Sequence, residues 1–402
     1  MSGAGGAVRG DRLWGDLMAM AEVGATPAGG SRRLALTDED RAGRELFAGW
    51  ARDAGLELRA DRTGNVFARR PGSEPGRPAV MAGSHLDTQP DGGRFDGVFG
   101  VLAALEAVRA LNDAGVETKA PIEVVNWTNE EGGRFPRFCT GSAVYAGVMT
   151  LDEARSLEAY DGPLYGDELD RLGLAGDEEP GSLPAAAYLE LHIEQGPKLE
   201  RAGVPLGIVQ GIRGIRQVPI EVTGHEAHSG SPMEGRQDAL RKAARIVEAV
   251  AELAESDPSE PSITVGRFEV EPNAPSVVPG RVRMVADVRG GGLEDPGALV
   301  DRVRTIAGDA SVGDPFFQYG PVHFDERLLT LLRESAGDTP TLEMVSPAGH
   351  DAGWVAQKVP TAMLFVPCRN GLSHHPDEYA EPEHLELATR VLAETLAKLA
   401  AE

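Results

Sequence analysis

The sequence predicts an α/β fold with a smaller α+β module inserted into it. Three observations carry this. Short apolar runs alternate with helical periodicity from Leu56 to Ile193, and again from Thr361 to Leu399. Between about Arg213 and Phe324 the order becomes β-α-β-β-α-β, that of a ferredoxin-like module. The chain has 402 residues, more than one core comfortably serves. The expected division is 1–212 with 325–402 as one domain and 213–324 as the insertion.

Taken in order, Thr37 followed by Asp38 and Asp40 reads as an N-cap with an acidic first turn, opening a helix that carries Leu46, Phe47 and Trp50 and ends near Gly55. Leu56–Ala60 and Asn65–Arg69 flank turn residues and form a strand pair. Pro78–Ala82 is a buried strand ending in Gly83-Ser84-His85, and Val98–Leu111 spaces its apolar residues for one helical face. Ile122–Trp127 and Tyr188–Ile193 are buried strands, and Leu172–Ser182 is a polar surface loop. In the insertion, Gln217–Thr223, Ser262–Val270, Arg281–Arg289 and Pro315–Val322 read as strands, and Gln237–Ala254 and Asp295–Ile306 as helices. Thr361–Val366 is a strand again, and His384–Leu399 a terminal helix.

Composition narrows the function classes. Apolar content of 41% and charged content of 25% are those of an ordinary globular protein. No run approaches a membrane span, and the N-terminal MSGAGGAVRGDRLWGDLMAM has charges where a signal peptide needs an apolar core, so a cytoplasmic protein is expected. Two cysteines, Cys139 and Cys368, make no disulfide framework. A net charge of −24, from 39 basic and 63 acidic residues, argues against nucleic acid and anionic membranes as partners. The acidic side chains are spread along the chain, which fits a solvated surface or adaptation to high salt.

The residues that carry chemistry fall at the carboxyl ends of strands, where open α/β sheets gather ligands. His85 and Asp87 close one strand, and an Asp two residues beyond a liganding His can fix its ring. Asp96, in GRFDG, reads either as a carboxylate bridging two metals or as a cap on the following helix. Glu130 and Glu131 are adjacent at a strand end, either an exposed acidic turn or a general base beside a metal ligand, because neighbours point to different sides. His192 lies in an apolar strand, where a core imidazole is the common alternative to a ligand, and His374-His375 lies in a polar turn. Imidazole and carboxylate without thiolate suit Zn²⁺ and its first-row neighbours. No G-x-S-x-G elbow and no G-x-G-x-x-G after a strand is present, so neither a serine nucleophile nor a dinucleotide site is indicated.

The segments GSHLDTQPDGGRFDGVFGVLAALE, NWTNEEGGRF, ELHIEQGP, GHEAHSGSPMEGRQDAL, PNAPSVVPG, DVRG, AGHDA and GLSHHPDE, spanning residues 83 to 378, resemble the hydantoinase/carbamoylase family of amidases. HIEQGP is the most telling, with a His where many peptidase relatives carry a carboxylate. The resemblance implies a mixed-sheet di-metal hydrolase domain with an inserted ferredoxin-like α+β lid and dimerisation domain, and hence a homodimer. It implies two divalent ions per subunit, Zn²⁺ first and Mn²⁺, Co²⁺ or Ni²⁺ after it, with His85 and His192 on one, Glu131 and His374 on the other, and Asp96 bridging. It implies Glu130 as general base, His228 as an oxyanion-stabilising lid residue, Asn273 and Arg289 as contacts to a substrate carboxylate, and Gln195 as a polar contact to the ureido end. The chain reads AHSGSPM where many relatives read HAGTTPM. The implied substrate is a small ureido or amide compound bearing a carboxylate: an N-carbamoyl-L-amino acid first, then allantoate, then β-ureidopropionate. A non-catalytic binding relative would lack a ligand or Glu130, and this sequence has them all.

Overall fold

The computed structural model describes residues 3–74 and 76–402. It divides into two compact units, one of Met1–Gln210, Phe324–Met344 and His350–Glu402, the other of Gly211–His323 and Val345–Gly349.

The larger unit is built on a mixed sheet with the strand order Glu57–Ala60, Val66–Arg70, Ile122–Trp127, Ala79–His85, Ala185–Ile193, Thr361–Val366 and Leu206–Ile212, with Thr341–Ser346 on the last. The four strands from Ile122–Trp127 to Thr361–Val366 run parallel to one another, so Trp127, His85, Ile193 and Val366 end at one edge. Three of these strands are buried at every position, the expected state of a parallel core covered on both faces. Side chains along Ala185–Ile193 alternate. Leu189 and Leu191 pack with Leu332 and Leu392 of the helices Glu326–Ala336 and Pro382–Ala401. Glu190 turns the other way and accepts from the Ala352 N–H of the helix Asp351–Val355.

Thr37 caps the helix Asp38–Asp53 by accepting from the Asp40 N–H at 3.2 Å. The helix Val98–Asp113 is apolar nearly all round and buried along its length, because it is packed under other helices as well as on the sheet. Gly100 permits that contact: a Cβ there would stand 2.4 Å from the Leu191 carbonyl oxygen and 2.6 Å from the Ser84 Cβ. Among the described residues no helix is long and apolar enough to cross a membrane.

The smaller unit is an antiparallel sheet in the order Ser311–Val312, Ile215–Thr223, Arg281–Arg289, Ser262–Glu271, with Phe317–Tyr319 also on Ile215–Thr223. Counting Phe317–Tyr319 as the fourth strand, the order is 4-1-3-2, the ferredoxin-like arrangement. The helices Ala239–Glu255 and Gly297–Ala307 cover one face, with Ile246, Val250 and Val303 packed on Val218, Val282 and Met284. The single strand expected over Pro315–Val322 is two pieces, Phe317–Tyr319 and Val322–His323, because Pro321 has no N–H for a ladder and Gly320 has a positive φ of 57°. The second piece pairs with Gly211 and Ile212.

Candidate metal centre

The site is assembled at the carboxyl edge of the parallel strands. His85 is the last residue of its strand, and its ring lies over Gly97, where φ is 67° and a Cβ would come within 2.2 Å of the imidazole. His85 Nδ1 lies 2.9 Å from the Asp87 carbonyl oxygen, and His192 Nδ1 lies 2.9 Å from the Ile193 carbonyl oxygen. A carbonyl only accepts, so both Nδ1 atoms carry the hydrogen and both Nε2 lone pairs face the cluster. His85 Nε2 is buried with no hydrogen-bond partner, 3.8 Å from Asp96 Oδ1 and 3.5 Å from Glu130 Oε2.

Asp96 stands at the centre and divides its oxygens. Oδ1 is 3.1 Å from His192 Nε2, while Oδ2 is 3.2 Å from His374 Nε2 and accepts from Ser373 and Gln195 at 2.7 and 2.8 Å. It does not cap the helix, whose N-cap is Gly97 with no side-chain bond. Glu131 Oε2 is 3.2 Å from His374 Nε2. Among the described residues three groups are able to hold a cation: His85 with Asp96 and His192, Asp96 with Glu131 and His374, and Glu190 with His192 and His350; the first two share Asp96. A buried nitrogen without a partner and a set of imidazole and carboxylate donors are what a first-row divalent ion fits. His375 sits instead against Asp377.

The electrostatics follow from packing acids into a dry edge. Burial opposes ionisation of Asp96, but His192, His374 and His85 outweigh it and hold the carboxyl well below its ordinary range. Burial, then Asp351 and Glu131, push Glu130 well above its range. Hydrogen bonds to Asp96 and Glu131 raise His374 to about 11. Cations would relieve the repulsion among the acids.

One expectation is corrected. The Asp87 carboxylate does not hold the His85 ring; the Asp87 carbonyl does. The carboxylate accepts from the Glu130 and Glu131 N–H groups, at 3.2 Å each. Those groups lie past the end of the Ile122–Trp127 strand, where the ladder no longer takes them, and a buried N–H requires a partner.

Sequence reasoning assigns Glu378 and Cys139 no role, and it offers His350 and Asp351 in PAGHDAG only as supporting or structural candidates. Glu378 accepts from the Phe95 and Asp96 N–H groups and from the Ser373 hydroxyl, tying the loop that carries Asp96 to the loop that carries His374. Cys139 donates to Glu130, and Asp351 accepts from Ser142 at 2.5 Å. His350 packs its ring edge-on to His192 with centroids 4.6 Å apart. The only signal for Glu378 was its place four residues after His374 (378 − 374) in GLSHHPDE.

His228, Asn273 and Arg289 lie in the smaller unit. His228 is exposed on the two-residue strand Ala227–His228, opposite Val277, and its Nδ1 accepts from the Gly230 N–H. Asn273 is exposed with φ 54°. Arg289 ends its strand half-buried, with Nε on Asp287 at 2.7 Å and Nη1 on the Pro347 carbonyl at 2.8 Å. Arg289, Gln217, Ser262, Thr264 and Phe316 line an open cavity of about 620 Å³.

This metal-type edge on an α/β sheet has close counterparts. The chain belongs to peptidase family M20/M25/M40, whose model matches residues 81–398. Within that frame it is a hydantoinase/carbamoylase amidase: it is 46% identical to the crystal structure of an amidase of the hydantoinase/carbamoylase family from Burkholderia multivorans, covering 98% of each chain with a TM-score of 0.90. Among sequence relatives, it is 43% identical to an N-carbamoyl-L-amino-acid amidohydrolase of Rhizobium meliloti over 92% of each chain. It is 35% identical to an allantoate amidohydrolase of Bacillus subtilis over 95% of each.

Proposed function

We propose that the protein is a metal-dependent cytoplasmic amidohydrolase that cleaves the carbamoyl C–N bond of N-carbamoyl-L-amino acids, giving the amino acid, ammonia and carbon dioxide. The observation that carries this is the division of Asp96 between two ligand groups, with Glu130 Oε2 facing them. The Rhizobium relative supports the substrate class, and free Cys139 and Cys368 suit a reducing compartment.

In this reading His85 and His192 would hold one divalent ion and Glu131 and His374 the other, with Asp96 available to both. Zn²⁺ suits the donors best, with Mn²⁺, Co²⁺ and Ni²⁺ as alternatives. When bound, the two ions supply Lewis acidity to the attacking water and the substrate carbonyl. Glu130 takes a proton from that water and returns it to the leaving nitrogen. His228 donates to the carbonyl oxygen as charge develops there. Gln195 offers Oε1, which is buried without a partner, to a ureido N–H. Asn273 and Arg289 receive the carboxylate.

Residues 213–324 form the lid and dimerisation module of this reading, supported by Ser262–Glu271, a ten-residue strand at the edge of its sheet with most side chains exposed. Such an edge pairs with a second copy and makes the molecule a homodimer. The Bacillus relative favours allantoate as a second substrate, which offers the same ureido and carboxylate groups. Ammonia release from carbamoyl amino acids, allantoate and acyl amino acids, with each metal supplied in turn, tests the reading. Turnover of acyl amino acids alone would overturn it.

A further inference from the structure

The segment after the adjacent acids folds back on them. Cys139, Thr140 and Gly141 donate their N–H groups to the carbonyls of Glu130, Asn129 and Thr128 at 2.7, 3.1 and 2.9 Å. Asn129 and Cys139 take positive φ of 57° and 55°, and the Asn129 amide donates to Thr140 Oγ1 at 2.8 Å. The two stretches are thus fixed to each other through backbone and side chain. Cys139 is fully buried at the start of the helix Thr140–Ala146, and its Sγ lies 3.1 Å from Glu130 Oε1. The carboxylate is therefore shared out by atom, with Oε1 on the sulfur and Oε2 3.5 Å from His85 Nε2. Burial, then the nearby Glu130 and Asp351 charges, push the thiol well above its ordinary range, so it keeps its hydrogen and acts as the donor.

We infer that Cys139 is a positioning residue for the reaction: its S–H holds Glu130 by Oε1 so that Oε2 alone is presented to the attacking water. This rests on Glu130 being the base. A thiol is a weak donor, so it orients the carboxylate while withdrawing less of its basicity than a hydroxyl or a cation would. The sulfur does not touch substrate and forms no bond in the reaction. Its effect belongs in kcat, because a base that swings out of line loses proton transfer and leaves substrate binding intact.

The test compares Cys139→Ala, Cys139→Ser, Cys139→Val, Glu130→Gln and the double variant Glu130→Gln with Cys139→Ala, reading kcat, KM, metal content and thermal midpoint. Cys139→Ala is expected to lower kcat on the order of 10-fold with KM and metal content unchanged. Serine, which keeps a donor, should recover most of the loss, and valine, of similar size with no donor, should not. If alanine does not fold, serine against valine decides: equal kcat in the two overturns the inference. The double variant should be no slower than Glu130→Gln alone. Wild-type kcat in Cys139→Ala with an inactive Glu130→Gln would overturn the role of Cys139 and leave the base assignment standing. An active Glu130→Gln would overturn the base assignment itself.

Discussion

Glu130 and Glu131 are neighbours in the chain but meet different partners. Glu130 faces His85 and Cys139, while Glu131 accepts from Gln89 at 2.9 Å and lies against His374. The proposed roles separate on substitution. Glu130→Gln should lower kcat by about 10²–10⁴-fold with metal content near wild type, whereas Glu131→Gln should lose metal as well, which elemental analysis of the dialysed proteins reads. The reverse pattern would exchange the two roles. At Arg289, Nε and Nη1 are already engaged by Asp287 and Pro347, so a carboxylate would meet the remaining face of the guanidinium. Arg289→Lys should raise KM for carboxylate substrates about 10-fold or more, because lysine cannot serve all these partners with one ammonium. An unchanged KM would leave Arg289 as the structural partner of Asp287 alone. His85 and His192 were legible as imidazoles at or beside strand ends, and Asp96, Glu131 and His374 as polar loop residues in the segments that carry the family resemblance. Glu378 and Cys139 were not, because what makes them matter is contact across 282 residues (378 − 96) in one case and a left-handed turn in the other.

At the level of elements, the sequence foretold the strands Ile122–Trp127, Arg281–Arg289 and Thr361–Val366 to the residue, since each is an apolar or alternating run with clear breakers. The helix Gly10–Ala21 went unread although Leu13, Leu17 and Met20 are fully buried, because glycines and charges surround its narrow apolar stripe. The short helices Thr140–Ala146, Leu151–Arg155 and Tyr165–Leu172 were also missed; one or two turns carry too little periodicity to register. The glycines around the helix Val98–Asp113 offer a test of how the elements fit. Gly100→Ala forces a Cβ into the Leu191 carbonyl and should cost about 1–3 kcal/mol by urea unfolding. Gly97→Ala pushes on the His85 ring and should release metal, with the positive φ of 67° adding backbone strain. Equal effects of the two on metal content would mean that the helix, not Gly97, seats His85.

For the whole molecule, charge and assembly set the expectations. The net charge of −24 includes five lysines, Lys119, Lys198, Lys242, Lys358 and Lys398, and exposed pairs such as Arg283 with Glu221 and Glu271 contribute little each. If the surface is adapted to salt, screening should raise the melting temperature between dilute buffer and molar salt. Equal melting in both would remove that idea. The proposed homodimer predicts complementation: inactive His228→Ala mixed with inactive Glu130→Gln should regain activity toward half of wild type per mixed dimer. Failure despite proven subunit exchange would mean that His228 works within its own chain or not at all.

The strand order carries a consequence for biosynthesis. Thr361–Val366 lies between Ala185–Ile193 and Leu206–Ile212, pairing Thr361 with Tyr188 across 173 residues (361 − 188). As the chain leaves the ribosome, Ala185–Ile193 is made long before the neighbour that closes its hydrogen-bonding side, and everything from Gly211 to His323 emerges in the interval. The nascent protein therefore carries an apolar strand paired on one side only, by Ala79–His85, for roughly 10–35 s at ordinary translation rates of roughly 5–20 residues per second. His374 arrives later still, so metal capture is one of the last events of synthesis, and a chain stopped before Thr361 is left with an adhesive edge and half a site.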